Sequence, residues 1–105
     1  MKECIFCKIV HKEIASQLIY EDDAMVAFYD IHPKADIHFL IIPKLHLTSM
    51  LELEESHVLL MGNLMLLANR LAKQFGLEGY KVQINAGEKG GQEVFHLHVH
   101  VLGNK

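Results

Sequence analysis

The chain predicts an α+β domain: a mainly antiparallel, five-stranded sheet with one short N-terminal helix and one long helix. Three observations carry this expectation. Five short segments, 17–21, 25–30, 37–42, 80–85 and 95–102, have the β-branched, apolar or alternating pattern of strands. Only segment 54–75 sustains a 3.6-residue apolar period over many turns. The strands follow in order with that single helix between them, which favours a mainly antiparallel sheet. At 105 residues, half of them hydrophobic, residues 1–105 form a single domain able to bury one core.

Each element has a local cause. Residues 4–12 carry Ile5, Phe6 and Ile9 at helical spacing before Ala15-Ser16 breaks the pattern, which predicts a two-turn helix. Segments 17–21 and 25–30 flank Glu21-Asp22-Asp23-Ala24, whose acidic and small residues suit a tight turn, so the two form a hairpin. His32-Pro33-Lys34-Ala35-Asp36 is a loop, because Pro33 forces His32 into an extended conformation. Segment 37–42 is nearly all apolar and reads as a central strand covered on both faces, ended by Pro43. His38 inside it is a polar group that needs a partner.

Ser49-x-x-Glu52 predicts a capping box ahead of the long helix. Leu60, Leu64, Leu67, Leu71 and Phe75 form its stripe, and Gly76 supplies the stop. Leu59, Met61, Met65, Leu66 and Ala68 widen that stripe beyond what one small sheet needs. Deep burial or a subunit interface would account for the surplus. Residues 80–85 form a strand, and the connection through Gly87–Gly91 is short enough to pair it antiparallel with the next. There is no internal repeat, low-complexity tract or linker.

Bulk properties exclude several classes. A net charge of −3 with scattered basic residues argues against nucleic acid as the main partner. No long uncharged apolar run exists, and Met1-Lys2-Glu3-Cys4 lacks a signal-peptide h-region, so no membrane association and a cytoplasmic location are expected. Both cysteines lie in Cys4-Ile5-Phe6-Cys7 and cannot staple distant parts of the chain. A thioredoxin-like redox pair would follow a strand in a βαβ unit, and none precedes this one. That weighs against redox, which stays as the least favoured of three readings beside a metal site and free thiols.

Near the C-terminus, Phe95-His96-Leu97-His98-Val99-His100-Val101-Leu102 sets three imidazoles at alternate positions. Alternate residues of a strand share a face, and same-face neighbours lie roughly 6.6 Å apart. Rings so spaced can act together on one phosphate-sized group or one metal. Polar spacers on a solvent face and a His-x-His metal site are the competing readings. Thr, Lys or Glu more often fill solvent positions, which weighs against spacers.

These motifs combine. The C-x-x-C, Asp30-Ile31-His32-Pro33, His38-Phe39-Leu40-Ile41-Ile42-Pro43-Lys44-x-His46, Asn85-x-Gly87 through Gly91-Gln92, and the His-Leu-His-Val-His-Val-Leu run resemble the histidine triad (HIT) family. The resemblance is nearest to its Hint branch, the histidine triad nucleotide-binding proteins. It spans essentially the whole chain in the family's order. It implies a HIT-like fold whose sheet continues across a homodimer through segment 80–85 and the long helix. It also implies a hydrolase or transferase acting at the α-phosphate of purine nucleotides such as AMP, GMP and their phosphoramidates.

By that resemblance His98 is the nucleophile, and His100, His38 and His96 complete the catalytic set. Asn85 and Gln92, with N–H groups near Gly91, hold the phosphate. Asp30 accepts from the ribose hydroxyls, and Phe6, Ile9, Ile14, Phe28 and Ile31 enclose the purine. On sequence alone those five apolar residues read as core. The chemistry is sound, because a neutral imidazole with a pKa near 6.5 is a competent nucleophile at neutral pH. No catalytic metal is called for. In zinc-bearing relatives the ligands resemble Cys4, Cys7, His46 and His96, a closed Cys₂His₂ set suited to structural zinc. His96 would then tie the short helix to the sheet.

Two departures bear on the leaving group. Better-known Hint relatives carry a hydroxyl residue where this chain has Glu93, and their longer C-terminal tail is missing after Gly103-Asn104-Lys105. The reading that follows is hydrolysis of the P–N bond of AMP-amines or AMP-lysine through a nucleotidyl-His98. Alternatives are a dinucleoside polyphosphate hydrolase of the Fhit kind and a nucleotide-binding module with residual catalysis. His11 and His57 read as solvated helix residues.

Overall fold

The computed structural model describes residues 4–105; residues 1–3, read above for the lack of a targeting segment, lie outside them. The strands are β1 (Leu18–Glu21), β2 (Met25–Tyr29), β3 (Ile37–Pro43), β4 (Lys81–Gln83) and β5 (Val99–Gly103), and the helices are α1 (Ile5–Val10) and α2 (Val58–Gln74). The sheet order is β1-β2-β3-β5-β4, antiparallel at every pairing. Among the described residues no helix is long and apolar enough to cross a membrane.

Alternation sorts the strand residues into two cores. Met25, Ala27, Phe39, Ile41, Leu97, Val99 and Val101 face α2 and pack on Leu64, Leu67, Ala68 and Leu71. Val26, Phe28, Leu40 and Ile42 face the other way and pack on Phe6 and Ile9 of α1. Each fully buried Leu or Ile is worth ~1.5–3 kcal/mol, so the α2 face carries most of the stability. β3 is covered on both sides, as its continuous apolar run predicts.

The turns follow their side chains. The Asp22 carboxylate accepts from the N–H groups of Ala24 (2.8 Å) and Met25 (2.7 Å), closing the β1–β2 hairpin. Gly76, at φ +79, ends α2: its N–H donates to Lys73 O, and that of Leu77 to Ala72 O. This is the Schellman pattern, which needs a residue tolerant of positive φ.

Several expectations are corrected. The long helix begins at Val58, after two 3₁₀ turns at Met50–Glu52 and Glu55–His57. Ser49 accepts from Leu51 N–H at 3.0 Å and Glu52 from Thr48 N–H at 2.6 Å, so the expected capping box instead closes the first short turn. His57 is not merely solvated, because its Nδ1 accepts from Glu54 N–H at 3.0 Å. In α1 the buried pair is Phe6 and Ile9, while Ile5 is exposed. The surplus on α2 divides: Ala68 is buried and Met61 packs against the core, while Leu59 is 79% and Leu66 68% exposed. β5 starts only at Val99, and the segment before it leaves the ladder to pair Leu97 N–H with Leu47 O at 2.7 Å. Its alternation persists back to Leu97, which still faces α2.

Candidate active site

On the α1 side of the sheet lies an open cleft of about 1030 Å³, at the upper end of the ~300–1,000 Å³ usual for small-molecule sites. Sequence-predicted residues from six separate segments meet on its walls: Phe6, Ile9, Ile14, Phe28, Asp30, Ile31, His38, Asn85, Gly91, Gln92, Glu93, His98 and His100. One predicted catalytic residue is absent from this wall: His96 is wholly buried and turned to the cysteines. Ile31 lines the cleft only at its lip, at 84% exposed.

The buried end is aromatic. The Phe6 ring stands edge-on to Phe28 (5.5 Å between centroids) and to His98 (5.2 Å), the arrangement favoured by ring quadrupoles. His98 Nδ1 lies 2.7 Å from the carbonyl oxygen of His96. A carbonyl only accepts, so Nδ1 carries the proton and Nε2 is left with a bare lone pair. Burial pulls the His98 pKa below its ordinary value, with the His96 carbonyl and then Asp30 opposing that shift. The ring is therefore neutral at pH 7.

His100, His38 and Asp30 form a second group. His38 Nε2 is 3.1 Å from His100 Nδ1 and 3.4 Å from Asp30 Oδ2, while Asp30 Oδ1 accepts from His32 N–H at 2.7 Å. Burial lowers the pKa of His38, and it lowers His100 to about 4, helped by the neighbouring imidazoles. Beside them the loop 87–94 folds on itself. Gly91 sits at φ +89, and Asn85 Nδ2 donates to Gly90 O at 2.8 Å.

That loop changes two assignments. The Gln92 side chain donates to Thr48 O (2.7 Å) and Val94 O (2.9 Å) and accepts from Gly87 N–H (2.8 Å). All its polar capacity for donation is used, so Gln92 holds the loop, not a phosphate. The N–H groups of Gly90, Gly91 and Gln92 are likewise committed within the turn. Among the described residues four loop N–H groups have no partner, those of Glu88, Lys89, Glu93 and Val94, and of these residues Glu93 and Val94 line the cleft. Sequence reasoning also passed over Lys34, Lys81 and Gln83 on the cleft wall. The signal was present in Gln83, which stands opposite His100 across the β4–β5 ladder.

A separate cluster closes the N-terminal end. Cys4 Sγ is 3.3 Å and Cys7 Sγ 3.6 Å from His96 Nδ1, and Cys7 Sγ is 3.1 Å from His46 Nδ1. One ligand atom from each of these four residues lies within 4.8 Å of every other, close to the ~3.3–3.8 Å edges of a tetrahedron with ~2.0–2.3 Å zinc bonds. His96 Nε2–H donates to Pro43 O at 2.8 Å, which fixes the Nδ1 lone pair toward the thiols as a metal-ligating histidine requires. Burial, with Cys4 alongside, raises the Cys7 thiol to about 11.

These features define a class: a single-domain α+β protein with an imidazole lone pair facing an open cleft and a closed Cys₂His₂ cluster behind it. The family model of the scavenger mRNA decapping enzyme C-terminal binding region matches residues 3–105. "Protein HitA" of Neisseria gonorrhoeae is 51% identical over 104 residues, covering 98% of this chain and 97% of that one. The "14 kDa zinc-binding protein" of Zea mays is 50% identical over 96% of this chain and 81% of its own length. A HIT family hydrolase from Legionella pneumophila superposes with a TM-score of 0.94 at 41% identity, covering 96% of this chain and 92% of that one. A Zn-bound histidine triad family protein from Mycobacterium smegmatis superposes with a TM-score of 0.86 at 31% identity, covering 99% and 76%. The chain belongs to the histidine triad family.

Cys4, Cys7, His46 and His96 have the donor set and spacing that fit a structural zinc ion. Four soft or borderline ligands leave no open position, so a metal held there would cross-link α1 to the sheet.

Proposed function

We propose that the protein is a purine nucleoside phosphoramidase of the Hint type, hydrolysing the P–N bond of AMP-amines or AMP-lysine. The observation that carries this reading is the His98 ring, whose Nδ1 proton is tied to the His96 carbonyl so that Nε2 meets the cleft as a nucleophile. The hydrolase nature of the Legionella relative supports it. His98 Nε2 bonds to the α-phosphorus as the P–N bond breaks, and the amine leaves with a proton. Water then cleaves the P–Nε2 bond, giving AMP and the neutral ring. Splitting one displacement into two is the gain from covalent catalysis.

The remaining groups serve positioning and charge. Phe6, Ile9, Ile14 and Phe28 hold the purine, with Ile31 at the lip, and Asp30 accepts from the ribose. The N–H groups of Glu93 and Val94, the Asn85 amide and His100 meet the phosphoryl oxygens. Glu93, on the cleft wall, is the side chain that would serve as acid or hydrogen-bond acceptor for the departing amine. Replacing His98 by Ala should cut turnover of an adenosine phosphoramidate by roughly a thousandfold or more. Turnover within a few-fold of the unmutated protein would defeat the mechanism.

The same reading includes a homodimer. β4 is a fully exposed edge strand, and exposed Leu59, Met65 and Leu66 lie on α2. An unpaired edge and an apolar helix face of this kind invite self-association. A monomer by sedimentation at micromolar concentration would exclude it.

A further inference from the structure

The loop between β2 and β3 is folded around the His38 ring. Its Lys34 N–H donates to His38 Nδ1 at 3.1 Å. The loop is pinned at two further places: Asp30 Oδ1 accepts from His32 N–H, and Asp36 N–H donates to Asn104 Oδ1 at 2.9 Å while its carboxylate accepts from Lys105 N–H at 3.1 Å. An imidazole nitrogen that accepts has no proton of its own, so neutral His38 carries its hydrogen on Nε2. That hydrogen has two acceptors in reach, His100 Nδ1 at 3.1 Å and Asp30 Oδ2 at 3.4 Å, and the imidazole is the nearer. A second hydrogen on His100 Nδ1 would collide with it. His100 is therefore protonated at Nε2, a nitrogen without a partner among the described residues.

We infer that the main-chain amide of Lys34 sets the proton polarity of the His38–His100 pair, holding His100 Nε2–H as a donor into the cleft beside the bare Nε2 of His98. This deepens the phosphoramidase reading and rests on it for its catalytic meaning. One ring then offers a lone pair to phosphorus and its neighbour a hydrogen to a phosphoryl oxygen. A cleft with both rings in the same tautomer would offer two lone pairs or two hydrogens. Lys34 and His38 are thus positioning residues, and His100 is the group that touches substrate.

The same polarity speaks against a metal at Asp30, His38 and His100, although their ligand atoms span edges of only 3.1, 3.4 and 4.0 Å. A metal-bound neutral histidine donates from its second nitrogen, as His96 does to Pro43. The second nitrogen of His38 accepts.

The test is ¹⁵N NMR of histidine-labelled protein at pH 8, with zinc bound, which reads each tautomer directly. The unmutated protein should show hydrogens on Nε2 of His38 and His100 and on Nδ1 of His98. Lys34→Pro deletes the amide hydrogen, and Lys34→Ala keeps it. The proline variant should populate Nδ1–H on His38 and His100 and lose about tenfold in kcat, with KM within about threefold; the alanine variant should keep the tautomers. A hydrogen on His100 Nδ1 in the unmutated protein, or unchanged tautomers in Lys34→Pro, overturns the inference. Should Lys34→Pro not fold, the unmutated spectrum decides. These spectra need no substrate, so failure of phosphoramidate turnover would sink the proposed activity while leaving the tautomer assignment to stand or fall alone.

Discussion

His96 and His98 are two residues apart, share a face of the same segment and are both buried, yet they do opposite things. His96 gives its Nε2 hydrogen to the Pro43 carbonyl and turns Nδ1 to the thiols. His98 gives its Nδ1 hydrogen to the His96 carbonyl and turns Nε2 to the cleft. In each case a main-chain oxygen chooses which nitrogen is free. The lesson is that a histidine's role is assigned by the backbone group behind it, and the two free nitrogens end up in a closed cluster and an open cleft respectively.

The sharpest way to break this comparison is to remove each ring in turn. His98→Ala should abolish turnover on the scale given above while retaining one equivalent of zinc and a nearly unchanged melting temperature. His96→Ala should lose zinc and lower Tm by more than ~10 °C, measured by metal analysis and calorimetry. Chelation of the unmutated protein should reproduce the second effect without touching the His98 ring. Equal loss of zinc in both variants would show that the two regions are not separate.

A middle-sized effect concerns pH. Burial holds His38, His98 and His100 below the ordinary histidine value, the last at about 4. Between pH 4 and 6.5 the unfolded chain therefore binds more protons than the folded one. Stability should rise with pH through that window and level off above it. The acid limb of kcat/KM should likewise fall below pH 6.5. Denaturant melts and rate profiles across pH 4–8 check both, and an acid limb centred above 6.5 would contradict the neutral cleft.

The smallest effect tests the loop. Gly91→Ala places a Cβ at φ +89, 3.3 Å from Asn85 Nδ2, costing roughly 1–2 kcal/mol of local strain. Phosphoramidate turnover should fall several-fold with zinc content unchanged. Loss of zinc on that substitution would mean the loop and the cluster are coupled.

Much of this architecture was legible beforehand. The apolar run of β3, the Asp22 turn and the Gly76 stop act through local sterics and burial, which sequence pattern expresses directly. Cys4, Cys7, His46 and His96 were legible as a ligand set through the resemblance to zinc-bearing relatives; their types suit zinc, but spacing alone does not join them. The capping box, the start of α2 and the extent of β5 were misplaced, because 3₁₀ turns and the Leu97–Leu47 pairing depend on what the chain meets. Gln92 was assigned to phosphate, yet its amide is consumed by Thr48 and Val94, contacts that no spacing reveals.

Composition and periodicity already dictated five strands, a long amphipathic helix, a two-sided sheet and a row of imidazoles on one side of it, since these follow from side-chain alternation and apolar burial. Tertiary structure alone decided which imidazole closes on the thiols, which one opens to the cleft, and where each ring keeps its hydrogen. Those choices rest on carbonyl and amide groups of Pro43, His96 and Lys34. Every residue but proline carries both groups, so only the folded chain can say which of them stands beside a ring.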